Sequence, residues 1–343
     1  MLMFNNVYRL VRPRQIIRTT TTIHLENDSR VTVRPLFLSI CRADERYYSG
    51  SRDAKVLAEK LPMSLVHEAM GVVVADPTST FEVGAPVVMV PTHAYKHDEE
   101  IGDNYLSDSR FASSTEDGFM REYVQIEPDR LIKVPKTFKY EMAAFIEVVS
   151  VALQAVRRLE NTMTSHRETI GVWGDGNVAY ITAVVLNELF PKSKLYIFGK
   201  HEEKLGYFSF ANAINIEELP LELSVNHAIE AVGGQGSESA INQIIDVINP
   251  RGTIVLSGVT EELVDINTRM VLEKGLTLAG SSRSTKKDFE DAIELISKNE
   301  DAKLRLELMI QNTKDIRNVE DITHIFEEDM NMPWGKSIMK WDM

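Results

Sequence analysis

A thiol, an imidazole and two carboxylates lie at three places in the sequence from which they could reach one metal ion. Cys41, the only cysteine of the 343 residues, follows an apolar run, and His67 and Glu68 are adjacent further along. Glu147 lies in a third, strongly apolar stretch. These groups suit zinc, so we expect the four side chains to converge on one catalytic zinc ion. Taken singly, each has a plainer interpretation, since an isolated cysteine is most often a small buried apolar residue.

Glu147 is informative because its neighbours are apolar. It lies in the segment Tyr140 to Leu159, where apolar residues recur at helical spacing and predict a helix. A carboxylate buried among them needs a partner. Either a metal site or a bond to a backbone amide or to an arginine such as Arg157 would provide one, and the sequence leaves both open.

The pattern G-x-G-x-x-A over residues 174–179 is typical of a loop that binds the pyrophosphate of a dinucleotide. It follows a predicted strand, Thr169 to Trp173, and opens a predicted helix, a context that distinguishes it from an ordinary strand-turn-helix. The free amides at the start of such a helix favour an anion. The residues assigned to this site are Gly174, Gly176, Asn177, Val178 and Ala179.

The end of the next strand indicates which dinucleotide is preferred. NAD enzymes usually carry an acidic residue there, which bonds the ribose 2′-hydroxyl. This sequence has Gly199 instead, followed by Lys200, His201 and Lys204. We therefore expect NADP(H), although two glutamates beside the lysines leave open a plain solvated surface.

The length and composition describe a globular chain of about two domains. A net charge of −13 argues against general nucleic-acid binding, which needs a basic surface. One cysteine excludes an intramolecular disulfide and a four-cysteine structural zinc site. The first residues lack the pattern of a signal peptide and no apolar run could span a bilayer, so we expect a cytoplasmic protein without a membrane span.

The order of the predicted elements indicates an α/β protein. Residues 1 to about 140 are β-rich, with short strands separated by Gly, Pro and a predicted turn at Asn27 and Asp28. A polar excursion at 92–118 interrupts them and is predicted to have little regular structure. From about residue 165, strands and helices alternate, which predicts a doubly wound parallel sheet. Further helices and a closing strand, Trp334 to Trp341, complete the pattern.

Together these features resemble the medium-chain dehydrogenase/reductase family, the zinc alcohol and polyol dehydrogenases, along essentially the whole chain. Cys41 matches the zinc cysteine of that family, and His67 with Glu68 matches its histidine-glutamate pair. Glu147 resembles the sorbitol-dehydrogenase version of the remaining metal position. The resemblance implies a β-rich GroES-like catalytic domain, an NADP-binding Rossmann domain and a return to the first domain, at residues 1–145, 146–285 and 286–343.

Within the family, residues 41–48 and the cysteine-free stretch 99–120 most resemble the ribulose-5-phosphate reductases. That resemblance implies an enzyme that reduces a small phosphorylated sugar, D-ribulose 5-phosphate, to D-ribitol 5-phosphate with zinc and NADPH. It also implies a supply of CDP-ribitol for teichoic acid or capsule, with a cytidylyltransferase as the pathway partner. By analogy with the family, we expect a homodimer.

Two departures from the family pattern bear on the mechanism. Relatives often hold a structural zinc with four cysteines, so this chain is expected to bind one zinc ion at most. Relatives also commonly place Ser or Thr two residues after the zinc cysteine, where it relays a proton. This chain has Ala43 at that position, and Ala43 has no proton to pass.

We predict that Cys41, His67 and Glu68 bind zinc, which polarises the ketone of the substrate. Zn²⁺ with one thiolate and one carboxylate is already neutral, so a second carboxylate would weaken that polarisation. Glu147 is therefore predicted to stay off the metal, or to leave it when substrate arrives, and to help move a proton through bound water.

Four arginines have predicted roles at the same site. Arg42 directly follows the zinc cysteine, where a basic residue in relatives can contact the cofactor pyrophosphate. Arg46, Arg52 and Arg110 could bind the substrate phosphate through two hydrogen bonds each. A solvated surface arginine is an equal alternative for each of these three.

Three other functions fit parts of the sequence. A polyol dehydrogenase would act on an unphosphorylated sugar alcohol. A non-catalytic, dinucleotide-binding relative would have lost its metal, and a zinc-free quinone-reductase type would lack the ligands altogether. Retention of all four candidate ligands argues against the last two. Activity with phosphorylated and unphosphorylated sugars would distinguish the polyol dehydrogenase from a reductase of a phosphorylated sugar.

Overall fold

The computed structural model describes residues 1–26, 29–220 and 222–343. It divides into two compact units, Met1–Ser150 with Ser284–Met343, and Val151–Arg283. The turn predicted at Asn27 and Asp28 lies outside the described residues. Of the helices described, none is long and apolar enough to cross a membrane.

The first stretch of the first unit is rich in strands, because short runs of Val, Ile, Leu and Thr alternate with Gly and Pro. The excursion at 92–118 includes two short paired strands, which the sequence did not predict. In chain order the elements of this stretch are β1 (Leu2–Arg12), β2 (Gln15–His24), β3 (Val31–Ser39), α1 (Arg42–Ser49), α2 (Ala54–Lys60), β4 (Met63–Ser64), β5 (Glu68–Ala75), β6 (Pro86–Met89), β7 (Thr92–His93), β8 (Arg110–Phe111), β9 (Val124–Ile126), β10 (Leu131–Lys133) and α3 (Tyr140–Ala144).

The helix predicted over Tyr140 to Leu159 is two helices. The first, α3, ends at Ala144, and α4 (Ile146–Thr162) begins two residues later. Phe145 lies between them with helix-breaking backbone angles of φ −106° and ψ 22°. Its side chain is buried, so packing decides the break, and apolar spacing cannot reveal it. The break places Glu147 in the first turn of α4.

The second unit is a parallel sheet with the strand order β13-β12-β11-β14-β15-β16, and every strand pair described in it is parallel. The rings of Trp173 and Phe198 stack in its core, with their centres 3.9 Å apart. The predicted doubly wound Rossmann sheet is thereby confirmed. Its elements are β11 (Thr169–Trp173), α5 (Asn177–Leu189), β12 (Lys194–Gly199), α6 (Glu202–Leu205), β13 (Asn212–Asn215), β14 (His227–Glu230), α7 (Ser237–Val247), β15 (Thr253–Leu256), α8 (Thr268–Lys274) and β16 (Thr277–Gly280).

The last stretch of the chain completes the first unit. Its elements are α9 (Lys286–Lys298), α10 (Glu300–Glu307), β17 (Ile310–Ile316), α11 (Val319–Met330) and β18 (Lys336–Trp341). The main sheet has the order β10-β6-β5-β3-β18-β17, so β18 lies beside β3. This pairing carries Lys336, at the start of β18, to the part of the sheet where β3 ends and β5 begins.

Candidate metal centre and cofactor loop

The thiol, the imidazole and one of the carboxylates predicted to bind zinc lie together in the first unit. Suitable ligand atoms of Cys41, His67 and Glu68 all lie within 4.8 Å of one another. Cys41 follows β3 and Glu68 begins β5, and these strands pair so that Ser39 is opposite Glu68. Strand pairing therefore assembles the group, and its donor atoms, one each of S, N and O, fit a zinc ion.

Asp44 fixes the direction of the His67 ring. Its carboxylate accepts hydrogen bonds from the Val66 amide at 2.9 Å and the Ser113 hydroxyl at 2.6 Å, and it lies 3.5 Å from His67 Nδ1. A carboxylate on one ring nitrogen leaves Nε2 to bind a metal. Burial alone would raise the pKa of Asp44, but the charge and hydrogen bond of His67, together with the bonds from Ser113 and Val66, outweigh burial and lower it. Burial likewise opposes charge on the ring, yet Asp44 raises the pKa of His67 well above its usual value.

The backbone just before His67 is held in a rare conformation. Val66 has a φ of 71°, in the left-handed region that β-branched residues seldom adopt. The amide of Phe119 donates to the carbonyl oxygen of Val66 at 2.7 Å. A Cβ on Gly118 would lie 2.3 Å from the carbonyl oxygen of Leu65 and 2.5 Å from that of Val66. The end of the polar excursion therefore supports the metal centre, and only glycine fits at 118.

Lys336 makes a buried ion pair with Glu68. Its Nζ lies 2.9 Å from Oε1 and 2.8 Å from Oε2 of Glu68, and it donates to the Ile40 carbonyl oxygen at 2.6 Å. The side chains of Lys336 and Glu68 are 4% and 0% exposed. Burial opposes charge on the amine, but Glu68 and Cys41 outweigh it and raise the pKa of Lys336. The Glu68 carboxylate therefore lies beside a fixed cation.

Glu147 is buried near this group, although the compact set of three ligands does not include it. Burial raises the pKa of Glu147 to about 7, with the charges of His67 and Glu68 acting on it in opposite directions. Lys336 alters the charge balance on which the sequence argument depended. With that cation counted, zinc, one thiolate and both carboxylates together are neutral, so charge alone does not keep Glu147 off the metal.

The nucleotide loop joins β11 to α5 in the second unit. Gly174 has a φ of 132°, and a Cβ there would lie 2.9 Å from the Ala231 carbonyl oxygen and 3.2 Å from Ala179 Cβ. A Cβ on Gly176 would meet no atom within 4 Å, so the space before the helix is open. Gly176 directly precedes α5 and offers no capping side chain, and Asn177 and Val178 begin its first turn. The open start of this helix fits a pyrophosphate.

The residues expected to favour NADP(H) follow the next strand. Gly199 ends β12, Lys200 and His201 come directly after it, and Lys204 lies in α6. Lys200 and His201 are exposed. They lie at the carboxyl end of a parallel strand, which is the edge where ligands of such sheets bind.

Comparisons with known proteins decide the family. The Alcohol dehydrogenase GroES-like domain matches residues 27–136, and the Zinc-binding dehydrogenase domain matches residues 211–298. Ribulose-5-phosphate reductase 1 of Staphylococcus aureus is 48% identical over 342 residues, which cover 99% of this chain and 100% of that protein. The chain belongs to the ribulose-5-phosphate reductase family. The corresponding protein of Bacillus spizizenii is 44% identical over 342 residues, with 99% of this chain and 100% of that protein covered.

A solved structure agrees with membership of the ribulose-5-phosphate reductase family. The crystal structure of S. aureus TarJ in complex with NADPH matches with a TM-score of 0.89 and 44% sequence identity, covering 99% of this chain and 100% of that chain. The predicted family is confirmed, as is the predicted combination of a Rossmann sheet with a GroES-like domain.

The candidate arginines of this family member lie in different surroundings. Arg42 pairs with Glu45 at 2.5 Å, and the Arg52 guanidinium lies 4.9 Å from the centre of the Tyr47 ring. Arg46, also in α1, accepts the amide of Arg52 on its carbonyl oxygen at 3.3 Å. Arg110 lines a cavity of about 580 Å³ whose other charged residues are of both signs: Arg9, Glu59, Lys60, Glu116 and Asp117. Binding of phosphate by these arginines stays a prediction.

Two residues that contact the candidate metal centre were missed by the sequence analysis. Asp44 had a local signal, since it lies three residues after Cys41 and its carboxylate caps α1 through the Cys41 amide at 3.3 Å. An acidic residue at that position of a helix start is a recognised capping pattern. Lys336 had no such signal, because only the pairing of β18 with β3 brings it to Glu68.

Proposed function

We propose that this chain reduces D-ribulose 5-phosphate to D-ribitol 5-phosphate with NADPH and one zinc ion. The observation that carries the proposal is the compact group of Cys41, His67 and Glu68 in a chain that aligns over 99% of its length with a ribulose-5-phosphate reductase. The related S. aureus TarJ is solved with NADPH. The product would supply CDP-ribitol for teichoic acid or capsule.

When bound, zinc acts as a Lewis acid toward the ketone oxygen and NADPH supplies the hydride. Cys41, His67 and Glu68 would hold the metal, and Asp44 orients the ring of His67 through its Nδ1. Lys336 offsets the charge of Glu68, so the centre is not anionic even when the nearby Glu147 carboxylate is counted. Because Asp44, Glu68 and Lys336 are buried, water screens their charges little.

Reduction of a ketone also requires a proton, and we assign its delivery to Glu147. Ala43 has no hydroxyl to relay it, whereas Glu147 is a buried carboxylate in the electrostatic range of His67 and Lys336. It would act through bound water. Glu147→Ala should lower kcat about a hundredfold while zinc and NADPH binding persist. Full activity in this variant would contradict the assignment, and loss of zinc would instead make Glu147 a ligand.

The reaction itself is tested by NADPH oxidation with ribulose 5-phosphate, ribulose, xylulose and sorbitol as substrates, the last in the oxidising direction. Ribulose 5-phosphate should be preferred by roughly a hundredfold or more in kcat/KM, because groups that bind its phosphate are left unpaired by its analogues. A zinc chelator should abolish turnover, and added zinc should restore it. Equal rates with an unphosphorylated sugar would favour a polyol dehydrogenase, and no turnover in zinc-loaded protein would favour a non-catalytic relative.

Several further predictions belong to this proposal. They are the catalytic domain at 1–145, the NADP-binding domain at 146–285, the return at 286–343, a cytoplasmic location, a cytidylyltransferase pathway partner and a homodimer.

The edge strand β16 supports the dimer, since Leu272 and Leu263 near it in sequence are 79% and 100% exposed. An open strand edge can pair with its copy in a second chain. Sedimentation of the protein as a monomer at micromolar concentration would contradict the dimer.

A further inference from the structure

Asp175, between the two glycines of the nucleotide loop, is bonded to the chain that follows β12. Its Oδ2 accepts hydrogen bonds from the amides of Lys200 at 2.8 Å and His201 at 3.0 Å, and lies 2.8 Å from His201 Nδ1. Burial alone would raise the pKa of Asp175, but the bonds from His201 and Lys200 outweigh it and lower the pKa. Because an ionised carboxylate only accepts, His201 Nδ1 carries the hydrogen and Nε2 is left for another partner.

The same side chain occupies the space beside Gly199. A Cβ on Gly199 would lie 2.7 Å from Asp175 Cβ and 2.9 Å from its Oδ2, closer than unbonded atoms pack. Position 199 is where an NAD enzyme carries the acid that bonds the ribose 2′-hydroxyl. While Asp175 is present, no side chain fits at 199 without displacing it. The carboxylate of Asp175 stands close to that position, but protein donors already occupy its Oδ2.

We propose that Asp175 is a positioning residue that sets the preference for NADPH, an inference that rests on the proposed NADPH-dependent function. It holds the backbone of Lys200 and His201 and the ring of His201, so that this segment is ordered before the 2′-phosphate arrives. Protein side chains that are already ordered bind a phosphate more tightly, because they lose less conformational freedom on binding. Asp175 also keeps position 199 free of an acid that would repel the phosphate, and its three donors offset its own charge.

Equilibrium binding of NADPH and NADH, followed by nucleotide fluorescence without any sugar, tests this role. Asp175→Ala should weaken NADPH binding about tenfold, since the charge-assisted bonds that order Lys200 and His201 are lost. NADH has no 2′-phosphate, so its binding should change less than about twofold. Asp175→Asn can still accept from an amide and should retain most of the preference. A residue that only supports the fold would change both affinities together.

His201→Ala provides a second test that leaves the loop sequence unchanged and removes a side chain that is 60% exposed. This variant should also weaken NADPH binding, and combining it with Asp175→Ala should add little, because the two residues act as one unit. Tighter or unchanged NADPH binding in Asp175→Ala, or fully additive effects, would overturn the proposal. Because no sugar is present, failure of ribulose 5-phosphate turnover would leave these binding results intact, so the two proposals fail separately.

Exchanging the residues at positions 175 and 199 tests whether Asp175 excludes an acidic side chain from position 199. Gly199→Asp alone should destabilise the second unit, because two side chains compete for one space. Gly199→Asp combined with Asp175→Gly removes the clash and restores an acid where NAD enzymes have one. The pair should bind NADH more tightly than NADPH. A pair that is stably folded and still prefers NADPH would show that keeping an acid out of position 199 does not set the preference.

Discussion

Serine in place of Cys41 is expected to remove zinc from the protein and to lower kcat/KM for ribulose 5-phosphate by about a thousandfold, or ~4 kcal/mol. Cys41 is the only cysteine, so its sulfur is the one thiolate the chain can offer. Without it, the His67 ring and a carboxylate already paired with Lys336 remain, and they bind zinc more weakly. Metal analysis of the purified protein and steady-state kinetics measure the two effects.

Two controls separate loss of the metal from loss of the fold. The nucleotide loop at 174–179 belongs to the second unit, so the dissociation constant of NADPH should not change in Cys41→Ser. His97→Asn should leave zinc and activity unchanged, since the side chain of His97 is 75% exposed. In the wild type, bound zinc should protect Cys41 from a thiol reagent and a chelator should expose it. If Cys41→Ser kept its zinc and its activity, the thiolate would not be a ligand.

The candidate site shows what residue type can and cannot reveal. Cys41, His67 and Glu68 are chemically suited to zinc, and this much can be read from the sequence. Their meeting depends on the register between β3 and β5, which no local pattern encodes. Lys336 is the strongest example, since its partner is 268 residues away. The sequence-based charge count omitted this cation, which adds one positive charge to the balance at the metal.

The fold was predictable where periodicity is strong. Alternation of apolar strands with helices predicts the parallel sheet of the second unit. The structure also explains why the first loop of that unit contains glycines, because a side chain at Gly174 would be too close to Ala231. The strand β17 was missed because Asn312 and Lys314, which lie between its exposed polar residues, are polar as well, so the alternation that predicts a strand is absent. The break at Phe145 was also missed, yet it is what places Glu147 at a helix start.

Methionine in place of Lys336 is expected to lower the free energy of unfolding by about 3–5 kcal/mol, since Glu68 would keep a buried charge without a partner. The matched control is Lys340→Met on the same strand. Lys340 pairs with Asp315 at 3.3 Å, but its side chain is 57% exposed. Because water screens such a pair, its loss should cost less than about 1 kcal/mol. Denaturant unfolding with a chelator present measures both, so that bound metal does not contribute.

Adding Glu68→Gln to Lys336→Met should recover most of the lost stability, because the unpaired buried charge is then removed. No recovery would mean that Lys336 stabilises the fold through its bond to the Ile40 carbonyl oxygen and not through Glu68. Zinc titration of the single variant tests the charge balance of the centre. Once Lys336 no longer offsets Glu68, the ligand set is more negative, so Lys336→Met should bind zinc more tightly although it unfolds more easily. Weaker zinc binding would show that Lys336 instead holds Glu68 in the orientation from which it reaches the metal.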